Sequence, residues 1–87
     1  MDKILLRKME QKIQDAISNK DEIKQLLQLF SNIDNSKSFV LGIVIGRIYN
    51  SFYYQSKRIL NREPTTQEFE EFLEFIKNKK SILEDLW

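Results

Sequence analysis

Residues 38–62, SFVLGIVIGRIYNSFYYQSKRILNR, change character halfway along what reads as one helix. The first half is aliphatic and suits a buried core rod. The second half is aromatic and basic and suits a recognition surface, so the chain is expected to bind something large. Leu41, Ile45, Ile48, Phe52 and Ile59 fall on one helical stripe, and Gly42, Gly46, Tyr49, Tyr53, Ser56 and Leu60 on a second. Residues three and four apart share a face, so two stripes imply contacts on two sides. The spacing predicts a long helix over 37–61 as the central element.

Working outward, apolar residues recur at spacings of three and four throughout, no stretch alternates as a strand does, and only two glycines and one proline occur. The fold class is therefore all-α, a small four-helix bundle or helical array in one domain spanning 1–87. The first helix is predicted over 3–18, with Leu6, Met9, Ile13 and Ile17 as its stripe and Leu5 and Ala16 flanking. Asn19 before Glu22, or Ser18 before Asp21, offers a side-chain acceptor for the start of a second helix over 20–33. Ile23, Leu26, Leu27 and Phe30 form its apolar face, and the short link predicts an antiparallel hairpin. Pro64 stops the long helix, because the residue before proline is driven out of helical geometry. Thr65 with Glu68 reads as a capping box for a fourth helix over 66–80. Its core face is Phe69, Phe72, Leu73 and Ile76. The KNKK run is expected to break it before an apolar tail, 81–87, ending in Trp87.

Composition removes most familiar chemistries. The chain has 87 residues, no cysteine and no histidine, so thiolate metal sites, disulfides and the commonest general base are all missing. Glu68, Glu70, Glu71 and Glu74 are spaced to pair carboxylates on one face, but nothing completes a metal or acid–base site around them. The expectation is a protein without enzymatic activity or cofactor. The absence of disulfides and of a signal-peptide pattern in MDKILLRKME suits a cytoplasmic protein, and no apolar run approaches the roughly 20 residues of a spanning helix.

Net charge is +1, but its distribution is uneven. Residues 35–62 contain no acid and carry Lys37, Arg47, Lys57, Arg58 and Arg62; residues 63–74 contain no base and carry five glutamates. Either the two helices complement each other, or a basic surface faces outward toward a partner. Arg47, Tyr54 and Arg58 share a stripe with Ser51, flanked by Asn50, Lys57 and Asn61. Such a strip suits a protein partner, or after it nucleic acid, because tyrosine anchors interfaces and stacks on bases while arginine and lysine neutralise phosphate. Tyr49 and Tyr53 lie closer to the core side. Gly42 and Gly46 let a backbone approach closely, whether from this chain, a partner or a second copy of the protein forming a homodimer. Trp87 is either docked on the core or an anchor for a partner groove.

The segment LNREPTTQEFEEFLEFI, residues 60–76, resembles the start of helix-turn-helix units such as those of sigma-type transcription factors. No second short turn and recognition helix follow Ile76, so the likeness extends to the capping chemistry. GRIYNSFYYQSKRILNR, residues 46–62, in a small chain rich in lysine, isoleucine and asparagine, looks like part of a small helical accessory subunit of an archaeal B-family DNA polymerase holoenzyme. That resemblance implies an all-helical fold, no catalysis and a larger protein subunit as partner, with DNA nearby.

Overall fold

Asp2 opens the first helix. Its carboxylate accepts from the Ile4 and Leu5 amides at 2.9 and 3.0 Å, using two of the donors that a helix start leaves unpaired. The computed structural model describes residues 1–30 and 35–86, and its elements are α1 (Lys3–Ser18), α2 (Lys20–Gln28), α3 (Ser36–Leu60) and α4 (Thr66–Glu84). All four are helical, and no strand occurs among the described residues. None of these helices is long and apolar enough to cross a membrane.

α3 sets the shape. Twenty-five residues at about 1.5 Å rise give about 38 Å, nearly the whole 41 Å long axis of the molecule. The 14.0 Å radius of gyration accordingly exceeds the roughly 12 Å of a compact chain this long. Asn35 caps the start by accepting from the Ser38 amide at 3.0 Å, and Asn61 ends the helix in the left-handed conformation, φ 58°. Asparagine tolerates that geometry better than branched residues do.

The core joins α1, α3 and α4. Leu5, Met9, Ile13 and Ala16 of α1 are buried against Val40, Val44, Ile48 and Phe52 of α3 and Phe72, Phe75 and Leu83 of α4. Phe52 and Phe72 stack with centroids 4.3 Å apart and planes 13° from parallel. Lys79 ties α4 to α1, bonding Glu10 at 3.0 Å while its ammonium sits 5.6 Å from the Phe75 ring.

Several expectations need correction. On α1 the buried stripe is shifted by one residue: Leu5 and Ala16 are inside, whereas Leu6 and Ile17 lie at the rim. α2 is shorter than the predicted 20–33, ending at Gln28, and Ile33 lies outside the described residues. Leu26 and Phe30 are exposed, leaving Ile23 buried and Leu27 half-buried. Asn19 makes no side-chain cap. Its amide instead donates to Asp15 at 2.9 Å and its carbonyl accepts from Ile23 at 3.1 Å, so the chain bends there with scarcely a gap in its ladder. The antiparallel hairpin is therefore not formed. α1 meets the middle of α3, and α2 proceeds to its beginning, where Leu27 shares a depression with Ser36 and Val40.

α3 buries Val40 and Val44 more deeply than Leu41 and Ile45, which face α4 and remain half-exposed. α4 does not stop at KNKK. It continues to Glu84 with Leu83 fully buried, so residues 81–84 are its last turn and not a separate tail. Lysine and asparagine keep helical geometry on the outside when the flanking Phe75 and Leu83 are held inside. Phe75 is buried and Leu73 exposed, a one-position rotation of the predicted face.

Candidate functional site

The aromatic and basic half of α3 divides among three environments. On the outward face lie Gly42, Gly46, Tyr49 and Tyr53, which fall within one helical sector. Both glycines are exposed, and a Cβ built on either would have no neighbour within 4 Å. Their backbone is ordinary helix, with no positive φ. They therefore make no close approach to any described residue of this chain. Tyr49 is 44% exposed, with its ring edge-on to Phe69 and Phe72 at 6.1 and 6.2 Å. Tyr53 is half-buried beside it, centroids 5.3 Å apart. The Tyr49 hydroxyl and partial burial together hold the Tyr53 phenol above its ordinary value.

Lys57 and Arg62 are engaged with the acidic stretch that follows. The Arg62 guanidinium forms a two-pronged pair with Glu68 at 2.6 and 3.1 Å and also donates to the Glu63 carbonyl at 3.1 Å. Lys57 lies 3.4 Å from Glu63. Glu68 is also the acidic member of the predicted capping box: its carboxylate accepts from the Thr65 amide at 2.8 Å, and its amide donates to the Thr65 hydroxyl at 3.1 Å. The Arg62 bond, then the Thr65 amide, bring the Glu68 carboxyl down to about 2. Arg62 thus fixes the α3–α4 corner, with its guanidinium engaged by Glu68. Complementary helices account for Lys57 and Arg62; they do not account for Arg47 and Arg58, which have no acidic partner within 4 Å among the described residues.

Arg47, Asn50 and Tyr54 occupy the third environment, an open cleft of about 280 Å³ between α1, α2 and α3. Ala16, Ile23, Val44 and Ile48 form its apolar part. Lys12 and Asp15 of α1 face Arg47, Asn50 and Tyr54 across it. Lys12 lies 3.9 Å from Asp15, which also accepts from the Gln11 amide at 3.1 Å. Ser51 and Gln55 complete the wall. Gln55 is 9% exposed, and its Oε1 is buried without a hydrogen-bond partner. An unpaired buried acceptor costs about 1–3 kcal/mol.

Lys12, Asp15 and Gln55 were not singled out by sequence. For Gln55 a signal existed: it follows Ile48 and Ser51 at core spacing, a long polar side chain on a buried stripe. Lys12 and Asp15 belong to the site only because α1 crosses α3 at that height. Trp87 lies outside the described residues. Among the described residues no three acidic side chains converge to hold a metal ion. The chain matches no protein-family model, no curated protein and no solved structure.

Proposed function

We propose that this protein is a non-enzymatic interaction module, an accessory subunit that docks onto a larger protein through the outward face of α3. The open space over Gly42 and Gly46 carries the reading. Each glycine costs a helix interior about 1 kcal/mol relative to alanine, and no contact among the described residues offsets it. A partner helix or strand lying along the bare backbone does offset it, with Tyr49 and Tyr53 supplying contact area at the end of the same face. The resemblance of residues 46–62 supports a role in a DNA- or RNA-processing assembly, such as a DNA polymerase holoenzyme, and the lack of cysteine fits a reducing, cytoplasmic compartment.

Direct binding to nucleic acid is the second reading, favoured by the unpaired Arg47 and Arg58 beside Tyr54, which is 60% exposed. A homodimer through the glycine face is the remaining way to cover that surface. Affinity capture of the tagged protein from its native extract, with and without nuclease, tests the choice. The docking reading expects a stoichiometric protein partner that survives nuclease. Loss of every partner on nuclease treatment, or recovery of the chain alone as a dimer, defeats it.

A further inference from the structure

The cleft between α1, α2 and α3 is a separate site, on residues the docking face does not use. It combines four things: an apolar floor of Ile23, Val44 and Ile48, an exposed tyrosine at the mouth, two amide side chains, and two cations. Asp15 is its one acid, and its charge is partly answered by Lys12 at 3.9 Å, so the lining keeps a positive excess from Arg47. Gln55 adds a polar side chain to the inner wall. It is nine-tenths buried, and its Oε1 is enclosed without a hydrogen-bond partner among the described residues.

We propose that this cleft binds one nucleotide. The ligand chemistry follows from the lining: a flat, polar-edged ring for the floor and Tyr54, donors and acceptors for the two amides, and negative charge for the cations. The base lies on the floor against the Tyr54 ring, an arrangement that tolerates any base because each has a π-face. Asn50 and Gln55 address the base edge, since an amide presents both a donor and an acceptor. Arg47 and Lys12 receive the phosphate, and Asp15 accepts from a sugar hydroxyl. A volume of about 280 Å³ admits the base with its sugar and leaves the phosphate at the open edge. The nucleotide is either free or one unit of a single strand; both present the same chemistry.

Amide chemical shifts of isotope-labelled protein, titrated separately with adenosine monophosphate, cytidine monophosphate, a single-stranded oligonucleotide and inorganic phosphate, decide it. The expected result is saturable movement of the amides of residues 12–16 and 47–55 at millimolar monophosphate or below, with inorganic phosphate alone not reproducing it. Movement of the same amides by the oligonucleotide only also supports the site and identifies a strand as its source. Arg47→Glu and Tyr54→Ala, both at exposed positions, should each weaken binding by roughly tenfold. Gln55→Leu should remove it with the fold retained, because leucine takes the burial without the unpaired oxygen. No movement with any nucleotide, equal movement with inorganic phosphate, or movement in α3 without residues 12–16 would overturn the proposal. So would unchanged affinity in folded Gln55→Leu protein.

Discussion

Glu68 concentrates more interactions than any other ionisable residue described: a two-pronged arginine pair, an accepted backbone amide and a donated one. Its carboxyl lies near 2 in the folded protein against 4.5 as the ordinary value. A depressed folded value means that its contribution to stability is complete above about 4.5 and is lost as pH falls toward about 2. Glu68→Gln keeps the shape but removes the charge. It is expected to lower stability by about 1 kcal/mol at neutral pH, in line with the loss of a helix cap, and to flatten the acid limb of the melting profile between those two values. Thermal denaturation followed by circular dichroism across that range checks both. The capping box was legible in sequence because Thr65 and Glu68 are local partners. Arg62 was not, since the chain offered it both a solvent-facing role and a partner six residues on, and only the corner geometry chooses between them.

At the scale of the element, α3 is unusual in carrying glycines that its own fold does not require. Their φ values are those of ordinary helix and their outer side is open, so Gly42→Ala with Gly46→Ala should stabilise the isolated protein by about 1–2 kcal/mol in urea unfolding. A loss of stability would mean that some contact does need the bare backbone. α4 makes the opposite case. Its KNKK run looks like a break because four polar residues in sequence interrupt the apolar pattern, yet Phe75 and Leu83 on either side are both core residues. Phe75 and Leu83 are eight apart, a spacing that keeps both within one broad apolar stripe about 80° wide. Leu83→Ala should therefore cost about 2–5 kcal/mol, as for a buried leucine elsewhere, and removal of 81–87 should abolish cooperative unfolding. A truncated protein that melts like the parent would show that the last turn of α4 is dispensable. On α1 and α3 the period was legible but the phase was not, because Leu5 and Leu6, or Val40 and Leu41, are interchangeable until a neighbouring helix arrives.

The molecule as a whole is an elongated array built along α3, with α1 and α2 following one another along it and α4 packed against α3 and tied to α1 through Lys79 and Glu10. The helix count and the long third helix follow from local signals: caps, proline and apolar spacing. The path of α2 does not. A one-residue link at Asn19 permits either a reversal or a bend, and the burial of Ile23 on α3 selects the bend. That choice also creates the cleft, which is why Lys12 and Asp15 belong to a site that no stretch of sequence announces. The glycine face of α3 remains uncovered, with Tyr49 and Tyr53 at its edge where Tyr49 meets Phe69 and Phe72 of α4. Gly46→Leu places bulk on that face, where the chain itself has room for it. Measured beside the parent protein at matched helicity, capture of the nuclease-resistant partner by Gly46→Leu protein should fall to background. Undiminished capture by the correctly folded variant would contradict the claim that this face is where the protein docks.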